Sequence, residues 1–404
     1  MDNSKIISRF FIVKRLLKNI KLLSDNNIEL ILKHYWSFLP KKKVLLEWID
    51  IEKLNWKMLS VNVNAIDLLE ANKDKINWKY LSKNPNAIKL LETNLDKINW
   101  KYLTLNRNAI DILKKNKDKI DYSRLVFNEN AIDLIEEKLT LESKLTEEQY
   151  YNLDYTNKVC FCGLSSNANA IKLLKENSLR IHWGYLSENE NAIELIESKL
   201  NQEEQSTEDD FRYHLSSYLL STNRNAINLL KANPDLISWA FLSENENAID
   251  LITKKIKYEN NTMTIDNYIK LEEHLENYEV EVLDKICWNK LSGNSNAIEL
   301  IKEKIKMKER LVLRIAINNI TTFEEIKRKV DYYISRWKDK NPNIIVDFAK
   351  KQLLLYMDEL LDWSALSSNK NAIDILFENQ DKIDWYALSA NPSIFVDIPM
   401  PNIY

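Results

Sequence analysis

Few side chains in this chain of 404 residues are of the kinds that bind metals or act as nucleophiles. The histidines and cysteines are His34, His182, His214, His274, Cys160, Cys162 and Cys287. Structural zinc sites use four ligands, usually from Cys-x-x-Cys or paired histidines, so the one Cys-x-Cys pair is a weak metal signal. His182, Cys160 and Cys287 directly precede an aromatic residue that begins a copy of the internal repeat described below, a position that favours a helix-capping role. We therefore predict neither a metal site nor a bound cofactor.

Catalytic motifs and phosphate-binding loops are likewise missing from the sequence. The three glycines are dispersed, whereas loops that cradle phosphates need clustered glycines. Neither a Gly-x-Ser-x-Gly elbow nor a His-Glu-x-x-His zinc motif occurs. The acidic pairs Glu203-Glu204 and Asp209-Asp210 lie in a polar stretch, which favours a solvated loop over a catalytic site. These observations predict a protein that is not an enzyme.

The composition of the chain limits the cellular compartments and the classes of binding partner that are expected for it. The chain has 57 basic and 60 acidic side chains, a net charge of −3, whereas dedicated nucleic-acid binders carry a basic excess. Three cysteines without a disulfide framework are typical of a reducing compartment. No apolar run approaches the roughly 18 residues that span a bilayer, and the first residues lack a secretory pattern. We expect a cytoplasmic protein whose partners are proteins rather than nucleic acid.

An internal repeat must position whatever surface the protein uses. Its eleven copies, numbered repeats 1 to 11, begin at Trp56, Trp78, Trp100, Tyr122, Phe161, Trp183, Ser217, Trp239, Trp288, Trp363 and Trp385. Counting the first residue of a copy as position 0, leucine recurs at +3 and asparagine at +6 in every copy. A second asparagine stands at +8 in all but the last copy, and Ala-Ile follows in ten. Such periodicity indicates a solenoid, in which each unit is stabilised by stacking on its neighbours.

The spacing within a copy predicts two short helices. The aromatic residue and the leucine share one face of a first helix of about one turn and are expected in the core. The asparagine at +6 would turn the chain, and the one at +8 would cap a second helix. The residues assigned to these positions include Trp56, Trp78, Trp100, Leu59, Leu81, Asn62, Asn84, Asn86, Asn106, Asn169, Asn191, Asn247, Asn296 and Asn371. We interpret all of them as structural rather than ligand-binding.

Position +16 distinguishes two kinds of copy. Six copies are followed by the next one at the same short spacing, as Trp78 is by Trp100, and we call these the closely spaced copies. Their +16 residue is asparagine, as at Asn94, and a left-handed conformation there would end the second helix. In the four copies that are followed by a longer gap, +16 is Lys138, Lys199, Lys255 or Lys304.

The lysine at +16 indicates where the repeat opens into insertions. We predict that the second helices of these four copies continue into the insertions, and that only closely spaced copies stack directly on the next one. Insertions on one face of a repeat protein often form its binding face. The sequence therefore favours the insertions as the place where a partner binds.

These patterns divide the chain into segments. They are an N-terminal helical cap (1–55), repeats 1 to 4 (56–143), an insertion (144–160), repeats 5 to 8 (161–255) with a short insertion at 201–216, an insertion (256–287), repeat 9 (288–304), a helical insertion (305–362), and repeats 10 and 11 with a C-terminal cap (363–404). Residues 1–24 read as a basic amphipathic helix that would cover the open end of the solenoid, or alternatively contact an anionic membrane. A degraded copy is expected around Trp36 and Leu39.

The predicted fold class is all-α, a right-handed α/α solenoid of short two-helix repeats with helical insertions. A leucine-rich-repeat-like solenoid is the alternative, because its period is similar. The lack of a period-2 strand pattern argues against it. The motif W-x-x-L-S-x-N-x-N-A-I-x-L-L-x-x-N resembles the asparagine-rich repeat of proteins from giant nucleocytoplasmic large DNA viruses, the mimivirus-like viruses. The resemblance covers about residues 56–395 apart from the insertions, and it implies a viral protein without assigned catalytic residues.

Two functions fit a repeat scaffold of this kind. The first is binding of an unidentified protein partner from the host or the virus. The second is a structural role in a virus particle or factory. An enzyme whose site lies in the insertions is a further alternative.

Overall fold

The computed structural model describes residues 3–18, 25–38, 43–203, 214–262, 285–306 and 361–398. Within these ranges the chain is all-α apart from one two-stranded sheet, and its short helices pack in succession, which confirms the predicted all-α solenoid of short helices. The leucine-rich-repeat alternative is wrong, because the described repeats 1 to 10 are built from helices. The chain divides into two compact units, Met1–Tyr102 with Trp385–Tyr404 (unit 1) and Leu103–Asp384 (unit 2).

Each repeat begins with a first helix of one or two turns. These helices span Trp56–Leu59, Trp78–Leu81, Trp100–Leu103, Tyr122–Leu125, Phe161–Ser166, Trp183–Leu186, Ser217–Thr222, Trp239–Leu242, Trp288–Gly293, Trp363–Ser368 and Trp385–Ala390. The residue before the helix caps it in repeats 1, 2, 3, 6, 7 and 10, as predicted from its type. Asp121 and Ser238 make no such bond, contrary to the prediction, and neither do Cys160 and Cys287. Asn77 Oδ1 accepts from the N–H of Tyr80 at 3.3 Å. His182 Nδ1 accepts in the same way from Tyr185, also at 3.3 Å.

A second helix follows in repeats 1 to 10. These helices span Ile66–Ala71, Ile88–Glu92, Ile110–Lys114, Ile132–Glu142, Ile171–Glu176, Ile193–Glu203, Ile227–Ala232, Ile249–Thr262, 298–306 and Ile373–Glu378. Short 3-10 turns lie between and around these helices, at Ile51–Lys53, Lys73–Lys75, Pro85–Ala87, Leu95–Lys97, Lys117–Lys119, Glu129–Ala131, Tyr155–Asn157, Ala168–Ala170, Ser178–Arg180, Pro234–Leu236, Glu246–Ala248, Gln380–Lys382 and Pro392–Ile394.

Within each unit, the asparagine at +6 links a repeat to the one stacked before it. Asn84 is buried, and its Nδ2 donates to the carbonyl oxygens of Ser60 and Asn62 at 3.1 and 3.0 Å. Its Oδ1 accepts from the N–H of Asn86 at 3.0 Å. The same two inter-repeat bonds are made by Asn62, Asn128, Asn167, Asn189, Asn223, Asn245, Asn294 and Asn369. The predicted turning role is therefore incomplete, since this residue also binds two repeats together.

The asparagine at +8 does not cap the second helix, contrary to the prediction. Asn86 Nδ2 donates instead to the carbonyl of Val63 in the preceding repeat, at 2.8 Å. The helix Ile88–Glu92 begins after Ala87, which has no side chain that could cap it. The same inter-repeat bond is made by Asn64, Asn130, Asn169, Asn191, Asn225, Asn247, Asn296 and Asn371. Within each unit, two rows of amide hydrogen bonds thus run from repeat to repeat.

A serine at +4, whose role the sequence left unassigned, adds a third link. Ser60 Oγ donates to the carbonyl of Trp56 at 2.8 Å and accepts from the N–H of Asn77 in the next repeat at 3.0 Å. The hydroxyl group can do both because it is donor and acceptor at once. Serine recurs at +4 in nine copies, with Thr104 and Val126 in the other two. This recurrence was the available signal for its structural role.

The asparagine at +16 ends the second helix, but by a different mechanism from the predicted one. None of the described residues has a positive φ, so the prediction that this asparagine adopts a left-handed conformation is wrong. Asn94 has φ −141° and ψ 50°, and its Nδ2 donates to the carbonyl of Leu90 at 2.9 Å. Together with the Thr93 hydroxyl group, which also donates to Leu90, the side chain satisfies a carbonyl that has no further turn of helix to bond to.

Lysine at +16 accompanies longer second helices, as predicted. Those of repeats 4, 6 and 8 have 11, 11 and 14 residues, against five in Ile88–Glu92. The prediction that only closely spaced copies stack directly is wrong. Asn167 donates to the carbonyls of Val126 and Asn128 across the insertion 144–160, at 2.7 and 3.4 Å. The insertions therefore leave the stack without interrupting its hydrogen bonds.

Repeats 1 and 11 stack on each other within unit 1, although they lie at opposite ends of the array in sequence. Asn62 Nδ2 donates to the carbonyls of Ser389 and Asn391 at 3.1 and 2.9 Å. The N–H of Asn55 donates to Ser389 Oγ at 2.7 Å. These are the bonds that join consecutive repeats elsewhere. Repeat 11 therefore covers the face of repeat 1 that we expected the N-terminal cap to cover.

Repeat 11 is completed by residues from the other end of the chain. After Pro392–Ile394 its chain enters a strand, β2 (Phe395–Asp397), instead of a second helix. This strand pairs antiparallel with β1 (Lys43–Leu45). The 3-10 turn Ile51–Lys53 then occupies the place that Lys73–Lys75 holds in repeat 1, directly before a first helix.

The N-terminal helices pack on each other and on this junction. Helix α1 (Asn3–Lys18) and helix α2 (Asp25–Phe38) enclose a small core that includes Phe10, Trp36 and Ile398. The rings of Phe10 and Trp36 meet edge to face at 5.1 Å. The expected degraded copy around Trp36 is wrong, because this residue lies near the end of a 14-residue helix. Leu39 and the end of the predicted C-terminal cap, 399–404, lie outside the described residues.

Candidate interaction surface

The leucine at +3 is fully buried in every repeat, whereas the aromatic residue at 0 is only half-buried in most. Leu59 and Leu81 therefore lie where the sequence predicts, but Trp56, Trp78 and Trp100 are partly accessible. The core assignment of the aromatic residue is correct for one side of the ring only.

A cation covers the accessible side of most of these rings. In repeats 1 and 2 it comes from +19, with Lys75 Nζ at 4.7 Å from the Trp56 ring and Lys97 Nζ at 4.6 Å from that of Trp78. In the copies with insertions it comes from +16, the lysine discussed above. These pairs are Lys138–Tyr122, Lys199–Trp183, Lys255–Trp239 and Lys304–Trp288. Repeat 7, which has serine at 0, also has leucine at +19. Cation and ring therefore occur together.

The outer face of the first helix is formed by +1, +2 and +5, because +5 lies four residues from +1 and three from +2 along the helix. Side chains at these positions differ from repeat to repeat, unlike those that hold the stack. In unit 1 they form a group of lysines and tyrosines that we call the Lys–Tyr surface. It consists of Lys57, Lys79, Tyr80, Lys83, Lys101, Tyr102 and Tyr386.

The groups of the Lys–Tyr surface contact one another across repeats. Lys57 Nζ lies 4.7 Å from the ring centre of Tyr80 and 5.8 Å from that of Tyr386, which joins repeats 11, 1 and 2. Lys79 Nζ lies 5.2 Å from the ring of Tyr102, and the rings of Tyr80 and Tyr102 are 5.7 Å apart. Hydrogen bonds to the Tyr80 and Tyr386 hydroxyls raise the pKa of Lys57, and the bond to Lys57 lowers the pKa of Tyr80.

The same helix face in unit 2 is not basic. Glu244 forms an ion pair with Lys290, whose ammonium group lies 4.0 Å from the ring centre of Phe241. Next to this pair is an open cavity of about 440 Å³, which Gly293 and Ala365 leave room for. Its charged groups already have partners, since Lys290 binds Glu244 and the other acid there caps a helix. The cavity carries no functional assignment.

Other titratable groups in the described part of the chain form contacts that stabilise the fold. Glu142 is buried at the end of a long second helix, and its Oε1 accepts from the N–H of Val159 at 2.9 Å, which ties down the insertion 144–160. Burial raises its pKa, although the Val159 bond acts in the opposite direction. A hydrogen bond to Cys160 raises the pKa of Tyr155. No group of three metal-binding side chains occurs among the residues that the structure describes.

Several sequence predictions fall on segments outside the described residues. They include Glu204, Asp209-Asp210, His274 and most of the insertions 201–216, 256–287 and 305–362. The proposed binding role of the insertions stays a prediction. Comparison of the chain with protein-family models, with curated proteins and with solved structures finds no match. None of the described helices is long and apolar enough to cross a membrane.

Proposed function

We propose that the protein is a non-enzymatic scaffold that binds an acidic segment of another protein on the Lys–Tyr surface. The proposal rests on the observation that some positions of the repeat hold the stack together while others form its accessible surface. The side chains at +3, +4, +6 and +8 are used in stacking, whereas those at +1, +2 and +5 vary between repeats and are partly or fully accessible throughout unit 1. Repeat proteins commonly bind their targets with such a variable surface on a constant frame.

Charge and ring geometry favour an acidic protein segment over nucleic acid. The +1, +2 and +5 positions of repeats 11, 1, 2 and 3 contain four lysines and no aspartate or glutamate. Base stacking needs an open ring face, yet one face of Tyr80 and of Tyr102 carries an ammonium group. What remains presented to a partner is a row of ammonium and hydroxyl donors, which carboxylates accept well. Complementary charge of this kind steers association and selects partners.

Site-specific photo-crosslinking in the native cell tests the scaffold. A crosslinking amino acid is placed at Tyr80, on the Lys–Tyr surface, and in a second variant at Asp96, an exposed position of the same repeat on another side. We expect discrete protein adducts from the first position and none, or different ones, from the second. The same adducts from both positions would contradict the proposal, as would their absence from Tyr80.

Binding of an acidic segment is tested with purified full-length protein and a labelled oligoglutamate peptide. The variant Lys57→Glu/Lys79→Glu should weaken binding by about tenfold or more, because it reverses two charges that face the peptide. The matched control Lys73→Glu/Lys89→Glu changes the same net charge in the same repeats on other faces. Equal loss in both variants would show non-specific charge attraction. Tighter binding of an oligothymidylate than of the peptide would favour nucleic acid instead.

The cytoplasmic location and the link to giant viruses rest on the sequence alone and stay predictions. The same holds for the alternative role in a virus particle. Mass spectrometry of purified particles tests that alternative, and absence of the protein from them would count against it.

A further inference from the structure

Helix α1 has an apolar side that the rest of the described chain does not cover. Its inner side, with Phe10 at the centre and Ile7, Val13 and Leu17 around it, packs into the core shared with α2 and Ile398. Its outer side exposes Phe11, Ile12 and Leu16, with 44%, 58% and 60% of their surface accessible. Ile12 and Leu16 lie one turn apart on the same side of the helix, and Phe11 is adjacent to Ile12. Large apolar side chains grouped in this way commonly mark a contact surface.

The charged residues of helix α1 all have the same sign. Helix α1 contains Lys5, Arg9, Lys14, Arg15 and Lys18 and no acidic residue. Arg9 and Arg15 are exposed, and Arg15 lies one turn from Phe11 on the same side. In α2, Leu30 and Ile31 are also exposed, and the carboxylate of Glu29 is bound by Lys33 at 2.7 Å. The region therefore combines exposed apolar side chains with a basic surround.

We infer that the outer side of α1 docks on an anionic lipid surface. Phenylalanine, isoleucine and leucine would enter the boundary between head groups and acyl chains, as in interfacial helices. Arginine side chains are long enough to place their guanidinium groups at the phosphates while their stems stay in the apolar layer. The charge decides between occupants, because a second copy of α1 would bring together two helices of the same sign. The inference is independent of the Lys–Tyr surface, which lies on other residues.

Vesicle flotation of the full-length protein tests the inference. The probes are phosphatidylcholine vesicles with and without phosphatidylserine, at low and moderate salt. We expect the protein to float with the anionic vesicles and to bind neutral ones at least about tenfold more weakly, since several basic residues contribute to the attraction. The variant Phe11→Ser/Ile12→Ser/Leu16→Ser should lose flotation while Phe10 keeps the helix packed. The control variant Leu95→Ser/Leu179→Ser removes exposed leucines elsewhere and should float normally.

A second variant separates the apolar from the electrostatic contribution. Arg9→Glu/Arg15→Glu keeps the apolar side chains and should abolish the preference for anionic vesicles. Equal flotation of the wild type and the triple serine variant would overturn the inference, as would a lack of flotation by the wild type. A dimer in light scattering that the triple variant dissociates, without any flotation, would show that the surface joins two copies instead.

Discussion

Replacement of Asn84 should destabilise the protein more than its small size suggests. Asn84→Ala removes two inter-repeat bonds, to the carbonyls of Ser60 and Asn62, and the bond from the N–H of Asn86. The site is buried, so water cannot replace the lost donor at the Ser60 carbonyl. With about 0.5–1.5 kcal/mol for each of the three bonds and a penalty of about 1–3 kcal/mol for the unpaired carbonyl, the expected loss is about 2.5–7.5 kcal/mol.

Asn84→Asp is the sharper version of this test. It keeps the shape and the acceptor for Asn86, but it places a carboxylate oxygen where the amide donates to two carbonyls. At neutral pH the loss should therefore exceed that of the alanine variant. The folded protein should raise the pKa of this carboxyl group, so the excess loss should shrink as pH falls and the group becomes protonated.

Urea unfolding followed by tryptophan fluorescence and circular dichroism measures both variants. The matched control is Asn86→Ala, which also removes one inter-repeat amide bond, to Val63, but at an exposed position. Water can replace that bond, so the control should lose only about 0.5–1.5 kcal/mol. If Asn84→Ala costs no more than the control, burial of the +6 amide is not what holds the repeats together.

Four further substitutions test other contacts. Gly163→Ala should destabilise by about 1–3 kcal/mol, because the added Cβ would come within 2.6 Å of two side chains of repeat 4. Gly293→Ala, where the Cβ meets nothing closer than 3.9 Å, should be neutral or stabilising by up to about 1 kcal/mol in thermal unfolding. Glu142→Gln keeps the acceptor for Val159. Since burial raises the pKa of Glu142 above its unfolded value, the charged form is penalised as pH rises, so the variant should melt higher than the wild type at pH 7 and equally near pH 4. Lys97→Met keeps the aliphatic stem over the ring of repeat 2 and should cost about 0.5–1 kcal/mol in urea titration.

The repeat could be predicted from the sequence because its residues recur at fixed spacing. Leucine at +3 and Ala-Ile at +9 and +10 give helical spacing directly, and the structure places Leu81 in the core. The direction in which an amide side chain points cannot be read from such a spacing. Asn84 and Asn86 have the same type and similar recurrence, yet one is buried between repeats and the other is exposed. Both bind the preceding repeat, which a pattern counted along a single copy cannot show.

The correlation between lysine at +16 and a long second helix has two physical causes. Its association with long second helices is confirmed, and the inability of lysine to end a helix explains part of it. The structure adds that Lys255 lies 4.9 Å from the ring of Trp239, where a closely spaced copy such as repeat 2 uses its cation at +19. When the helix continues past +16, the turn that would carry the +19 cation is no longer formed in place. Lysine at +16 restores the cation from the helix itself.

The candidate surface depended on contacts that no single repeat contains. Lys57 lies between Tyr80 and Tyr386, and the latter is reached only because repeats 1 and 11 stack. That stacking requires residues 51–55, which the sequence assigned to a cap, to serve as the missing end of repeat 11. The position of Lys53 supports this assignment. Its ammonium group lies 4.9 Å from the ring centre of Trp385, as that of Lys75 lies over the ring of Trp56. The chain therefore places the two ends of its repeat array in one unit, and the only cluster of lysines and tyrosines on the described first helices lies across that junction.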